Sequence, residues 1–447
     1  MIRKTLLLIT AALTSFAALA QLPSNINGSI TPGKLNRIGL FKVLNGRLKE
    51  IATAVPDGQG RFGFRFTPEY EGLYALGSGN PQSQQGLFRF YFKGNEELNL
   101  KLDQGAYELT GKNSPENQAL YTWDQQSKSF HDKGLTPGGR STYVDFFPEV
   151  EDFKGKLDGI KKKAKTGNAN FDKLFSELID YDFAYYATSY LQMPRTAHPS
   201  KEEMSDYYTA FKADRYLTPT LLKLPYGDRF LTNLVYRKVD LASKPTVEQL
   251  VSTIGPDVLK GQYILQRLEG VRSYSDFQEM NNTYKKYFTL PEQIERAKAI
   301  ELKLVETKTG VPAFQFSYPD LSGKKTNLAD LKGKVVLVDM WATWCGPCRA
   351  EEPHWEKLNE EFKGKPIAFV GISVDQDKPK WETYVKEKNI KGIQLHAGPG
   401  NELTNAYKVN GIPRYILIDK AGNLISADSP RPSDPKLKTL LEEWSKK

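Results

Sequence analysis

The stretch Lys334-Val335-Val336-Leu337-Val338-Asp339-Met340-Trp341-Ala342-Thr343-Trp344-Cys345-Gly346-Pro347-Cys348-Arg349 decides how this chain is read. Its first half is an apolar, β-branched run of strand length, interrupted by one acid. Its second half holds both cysteines of the 447-residue chain, two residues apart. From Arg349 to Phe362 the spacing predicts a helix. The cysteine pair therefore sits where a buried strand turns into a helix. A helix start presents unpaired N–H groups and the positive end of the macrodipole. A thiol placed there has a lowered pKa and a larger share of thiolate, the reactive species. The pair is expected to shuttle electrons as a dithiol/disulfide, with no cofactor beyond that redox-active bond.

Other uses of two cysteines fit less well. A structural bridge across a two-residue gap constrains little of the unfolded chain. A structural zinc site wants four ligands, and one C-x-x-C supplies two. His354 shares the predicted helix, but His131, His198 and His396 are scattered.

The N-terminus reads as a targeting segment rather than as part of a fold. Arg3 and Lys4 precede an apolar stretch from Thr5 to Leu19, and Ala18-Leu19-Ala20 matches a small-x-small cleavage pattern. The stretch is shorter than the roughly 20 residues that span a bilayer. Residues 1–20 are expected to be a cleaved signal peptide. The mature chain would then begin near Gln21 in the periplasm. No cysteine lies near the cut, which argues against a lipoprotein. Formal net charge is +9, of which Arg3 and Lys4 carry two. The lysines are spread along the chain. Their densest run, Lys154 to Lys165, falls on a predicted helix and reads as a solvated face. No nucleic-acid motif is present.

Length predicts two to three domains. Residues 21–113 read as an antiparallel β domain of about seven strands. Phe62, Phe64 and Phe66 alternate with polar or small residues, as do Phe88, Phe90 and Phe92, and Leu98, Leu100 and Leu102. Asn45-Gly46 marks a type I′ hairpin. Residues 114–308 read as a helical region, with segments at 115–132, 143–165, 170–191, 201–215, 246–253, 256–271, 274–287 and 291–306. Residues 309–447 alternate strand and helix signals in βαβ-then-ββα order. The class is multidomain α+β with a C-terminal α/β domain.

Asp339 falls inside a strand expected to be buried on both faces. An unpaired buried carboxylate is costly, so its pKa should rise, which suits a proton acceptor for Cys348. The motif from Asp339 to Arg349, with Pro353 and Gly411-Ile412-Pro413, resembles the thioredoxin superfamily and within it the exported TlpA/ResA-type thiol-disulfide oxidoreductases. That resemblance covers roughly the last third of the chain. It implies a thioredoxin-like fold and a nucleophilic Cys345 at the exposed first turn of the helix. Cys348 would be the more buried resolving thiol. It also implies a second acid near the thiols at Glu351, with Glu352 solvated. The Ile412-Pro413 bond is expected to be cis, and Trp344, Pro347, Ile412 and Pro413 to meet the substrate.

The implied substrates are protein disulfides, reduced through a mixed disulfide and replenished by a membrane electron-donor protein. Disulfide oxidation or isomerisation is the alternative within enzymes. A partner-binding protein in which redox chemistry is secondary is the alternative outside them. Client identity and oligomeric state are not legible in the sequence.

Overall fold

The computed structural model describes residues 22–81, 85–103, 105–136, 141–163, 165–195 and 197–447. The expected signal peptide lies outside the described residues. By its internal contacts the chain forms two compact units, one reaching Leu259 and one running Lys260–Lys447.

The first unit opens with eight strands: β1 (Ser24–Ile30), β2 (Ile38–Leu44), β3 (Arg47–Ala54), β4 (Arg61–Phe66), β5 (Gly72–Gly77), β6 (Leu87–Phe92), β7 (Glu97–Leu102) and β8 (Tyr107–Leu109). They make two four-stranded sheets, ordered β4-β1-β7-β8 and β3-β2-β5-β6. Ile26, Leu98 and Leu100 from one sheet share a core with Leu40, Tyr74 and Phe90 from the other. The expected wholly antiparallel arrangement is not what forms, because β1 pairs parallel with β7. Alternation marks the faces of a strand and says nothing of its direction. At the β2–β3 turn both Asn45 (φ 51°) and Gly46 (φ 79°) are left-handed, as a type I′ turn requires. A Cβ on Gly46 would also come within 2.9 Å of the Asp228 nitrogen.

Helices α1 (Pro115–Leu135), α2 (Tyr143–Lys163) and α3 (Ala169–Tyr190) follow, then the short α4 (Asp206–Thr209), α5 (Gly227–Tyr236) and α6 (Val247–Ser252). Ser114 caps α1, accepting from the Asn117 N–H, and Pro115 opens it. The helix expected at 201–215 shrinks to α4 and one 3₁₀ turn at Ala213–Arg215. Aromatic packing overrides propensity here. Tyr207 meets Phe183, Tyr208 meets Phe147, and Phe211 stacks on Tyr216, which a single helix face could not satisfy. Helix α5 escaped the sequence reading although Phe230, Leu231, Leu234 and Val235 carry its buried stripe. Gly227 at its start is needed for close approach, since a Cβ there would lie 1.7 Å from the Leu221 carbonyl oxygen.

A buried polar knot joins strands to helices. Arg89 on β6 donates to Asp182 on α3 at 2.8 Å and to Asp124 on α1 at 2.8 Å. Trp123 and Tyr226 also donate to Asp182, and Tyr107 to Asp124.

Helix α7 (Asp257–Glu269) leads into the second unit, which continues with α8 (Tyr274–Tyr284) and α9 (Pro291–Leu304). The hairpin β9 (Ser317–Pro319) and β10 (Lys325–Asn327) precedes the central sheet. The rest is β11 (Val335–Trp341), α10 (Gly346–Glu361), β12 (Ile367–Ser373), α11 (Lys378–Lys388), β13 (Ile393–His396), α12 (Glu402–Ala406), β14 (Arg414–Ile418), β15 (Leu424–Ser426) and α13 (Pro435–Lys446). Sheet order is β13-β12-β11-β14-β15, parallel across β11, β12 and β13 and antiparallel at β14 and β15. Val335 and Leu337 of β11 face Trp355 of α10 and Leu437 of α13. Val336, Val338 and Met340 pack on the opposite layer with Leu403 and Tyr407. The central strand is thus covered on both faces, as its continuous apolar run implies.

Breaking the knot of the first unit tests how firmly its strands and helices are joined. Asp182→Ala leaves Arg89 charged and buried, and should cost about 3–5 kcal/mol. Urea denaturation followed by fluorescence would show it as a lowered midpoint. An unchanged midpoint would contradict the account.

Candidate active site

Strand β11 delivers its C-terminal end to the start of α10, and the cysteines lie at that junction. Cys345 is the N-cap of α10, and its sulfur accepts from the Cys348 N–H at 3.2 Å. Cys345 and Cys348 are joined by a disulfide, their Cα atoms 5.3 Å apart. The expected contrast in exposure is absent: Cys345 is 4% exposed and Cys348 3%. Trp341, Ala342 and Trp381 share one buried cluster with both cysteines. The exposed group is Trp344, at 64%, and Gly346 and Pro347 are exposed beside it.

The Ile412–Pro413 peptide is cis. It brings the Ile412 carbonyl oxygen to 3.8 Å from the Cys345 sulfur. Arg414 turns inward. It is fully buried, donates from Nη1 to the Ala427 carbonyl at 3.1 Å and holds Nε 3.5 Å from Asp428. The position after the cis-proline therefore belongs to the core.

Asp339 lies on β11 and lines a cavity of about 10 Å³ with Cys348, Glu352 and Gln394. Such a volume is close to the room one water needs. Its Oδ1 is sealed from solvent without a hydrogen-bond partner. Burial pushes the Asp339 pKa well above its ordinary value, and the charges of Glu351 and Glu352 push the same way. Across the β11–β12 pair Asp339 faces Gly371. A Cβ there would come within 2.3 Å of Gln394 Oε1, so glycine makes the room that Gln394 fills.

Of the two glutamates, Glu352 is placed differently from the expectation. Glu351 is buried and accepts from the Ser433 N–H and Oγ, both at 2.9 Å. Glu352, expected to be solvated, lines the Cys348 cavity and accepts from the Tyr384 hydroxyl at 2.7 Å. Helical spacing puts residues three and four positions after Cys348 on its face alike, so sequence could not separate them.

A second buried carboxylate escaped the sequence reading. Asp375 follows β12 and accepts from the Thr343 N–H at 3.0 Å, Thr343 Oγ1 at 2.7 Å and Ser373 Oγ at 2.8 Å. His396 Nε2 lies 2.9 Å from its carbonyl oxygen. Asp375 thus pins the loop two residues before Cys345. Its only signal was an acid closing an apolar strand, the same signal that singled out Asp339.

The Redoxin family model matches residues 306–441. The thiol-disulfide oxidoreductase ResA of Bacillus thuringiensis subsp. konkukian is 32% identical over 164 residues, covering 37% of this chain and 84% of that protein. The chain belongs to the ResA-like thiol-disulfide oxidoreductases of the thioredoxin superfamily. A ResA of Bacillus cereus is 33% identical over 138 residues, 31% of this chain and 77% of its own. Among solved structures, a thiol-disulfide oxidoreductase from Bacteroides fragilis is 30% identical, covering 29% of this chain and 99% of its own at a TM-score of 0.27. By its Redoxin match and its ResA relatives, this ResA-like chain is an oxidoreductase with a thioredoxin-like domain at its C-terminal end. Among the described residues, no helix is long and apolar enough to cross a membrane.

The raised pKa of Asp339 has a consequence for stability. Its raised pKa means the folded state keeps a proton that the unfolded chain releases above the ordinary value of 3.8. Stability must therefore fall as pH rises through that window. Asp339→Asn removes the fall. The variant should be more stable than the parent at pH 8 by about 1 kcal/mol or more, with the gap closing toward pH 4. Urea midpoints across that range check it, and equal midpoints at pH 8 would contradict it.

Proposed function

We propose that this protein is an exported reductase of protein disulfides. The observation that carries this reading is the Asp339 carboxyl, its Oδ1 without a hydrogen-bond partner, lining a small cavity with Cys348, one helical turn behind an N-capping Cys345. In the reduced form the Cys345 thiolate attacks a client disulfide. A Cys345–client bond forms, and the client's other sulfur leaves as a thiolate that takes up a proton. Asp339 accepts the proton of Cys348. The Cys348 thiolate then attacks the Cys345 sulfur and expels the client's second sulfur as a thiolate, which takes up a proton. Two electrons pass to the client, and the Cys345–Cys348 disulfide forms.

The raised Asp339 pKa supports the acceptor role, since a general base works best with its pKa near the working pH. The N-cap hydrogen bond from the Cys348 N–H stabilises the Cys345 thiolate. Glu352 flanks the same cavity, and Glu351, tied to Ser433, positions the helix. Trp344 and the cis Ile412–Pro413 loop offer the client its landing surface, with backbone pairing at Ile412. The dithiol is the only redox group the cycle needs. A membrane electron donor outside the cytoplasm would restore it, in keeping with the basic and apolar N-terminus from Arg3 to Leu19.

The Gly346-Pro347 spacer and the placement of Cys345 predict a reducing couple. Its potential should lie at about −220 to −280 mV. Equilibration with glutathione buffers measures it. A value near −120 mV would place the protein among disulfide oxidants instead.

A further inference from the structure

A second buried acid stands behind the cysteines, and the proton-transfer step leaves it unused. Asp375 is 1% exposed and follows β12. Its donors are neutral. Thr343 gives a backbone N–H, 3.0 Å from Oδ2, and a hydroxyl, 2.7 Å from Oδ1. Ser373 gives Oδ2 a second hydroxyl at 2.8 Å. Both oxygens accept, the pattern of an ionised carboxylate. Among the described residues no Lys or Arg pairs with Asp375, and His396 meets its carbonyl rather than its carboxylate. A negative charge is thus held inside the fold by dipoles alone.

That charge stands close to the nucleophilic thiol. Thr343 precedes Cys345 by two residues, and the turn is closed by the Cys345 N–H donating to the Ala342 carbonyl at 3.1 Å. Two residues of chain reach about 7 Å at most, so the carboxylate lies within roughly 10 Å of the Cys345 backbone. Trp341, Ala342 and Thr343, which lead into Cys345, are all buried, and salt screens buried charges little. At an effective dielectric constant of about 20, two charges roughly 10 Å apart shift an ionisation by about one pH unit.

Other charged groups approach the thiols from elsewhere. Asp339 and Glu352 line the Cys348 cavity, Glu351 is tied to Ser433, and Arg349 stands exposed after Cys348. Asp375 differs in bonding the segment that delivers Cys345.

We propose that Asp375 is a positioning residue whose buried charge sets the reduction potential of the Cys345–Cys348 couple. Reduction of the disulfide takes up two electrons. One proton goes to Cys348, and Cys345 is left as a thiolate or takes a second proton. A negative charge behind Cys345 disfavours its thiolate and with it the reduced form, so the couple gives up electrons more readily. The Cys348 N–H at the helix start acts in the opposite sense. Strong disulfide oxidants stabilise their reduced form, and Asp375 works against that. This deepens the reductive reading above and rests on it for its biological sense.

The test measures the potential of the full-length protein in glutathione buffers, together with the pH midpoint for iodoacetamide alkylation of Cys345. Asp375→Asn keeps an acceptor for Thr343 and removes the charge. Its alkylation midpoint should fall by about one pH unit. Its equilibrium constant with glutathione should shift up to tenfold toward the reduced protein, a rise of up to about 30 mV. Thr343→Val and Ser373→Ala keep the charge and each remove one hydroxyl that offsets it. Both should move the two readouts the other way, by about two- to threefold in the equilibrium constant.

Opposite signs separate charge from mere bracing, because a loosened turn would move all three variants alike. A potential that is unchanged or lowered in Asp375→Asn overturns the inference. So does a potential that is unchanged or raised in both hydroxyl variants, which settles the matter even if Asp375→Asn fails to fold. The parent's own value is judged separately. A parent near −120 mV sinks the reductive reading, while the signs of the shifts still decide the role of Asp375.

Discussion

A carboxyl group with one oxygen held without a partner in the centre of a sheet is the constraint around which the second unit is arranged. Strand β11 is covered on both faces, and Asp339 within it is half-buried, with its Oδ1 sealed from solvent and nothing donating to it. Such a group is expensive in its charged form. The fold keeps it next to Cys348, opposite a glycine that admits Gln394. Asp375, at the end of the neighbouring strand β12, shows the contrasting solution. Its oxygens accept from Thr343 and Ser373, and it holds the loop that leads to Cys345. One acid is satisfied and fixes geometry. The other is left unsatisfied and can take up a proton.

Much of this was legible in the sequence, and the physical reasons differ by element. The apolar run from Val335, the cysteine pair and the helix after it specify a local strand–helix junction, so β11 and α10 follow directly. The cis bond at Ile412–Pro413 follows from the family motif, because short-range composition does not select cis over trans. The parallel β1–β7 pair was not legible, since alternation is blind to direction. The places of Glu351 and Glu352 were not either, because both follow Cys348 by one turn. The burial of Cys345 depends on Trp381, 36 positions away in sequence, and on the cis-proline loop, which no local pattern near the cysteines reports.

The first unit shows the same limit more strongly. Its aromatic residues read correctly as core, but the knot of Arg89, Asp124 and Asp182 draws on a strand and two helices far apart in sequence. Each residue alone reads as a surface charge. Together they are a buried, hydrogen-bonded cluster that ties the β layers to α1 and α3, so the residues before Lys260 act as one body rather than as separate β and helical parts.

Asp339 as proton acceptor is the central claim, and stopped-flow kinetics of mixed-disulfide resolution test it most directly. The Cys345–substrate adduct would be formed with a chromogenic leaving group and its decay by Cys348 followed from pH 5 to pH 10. In the parent, resolution should stay fast at neutral pH. In Asp339→Asn it should slow by about 10²-fold near pH 7 and recover at alkaline pH, where Cys348 ionises unaided. A variant with the parent's rate and pH profile would contradict the account and shift the role to Glu352 or Glu351.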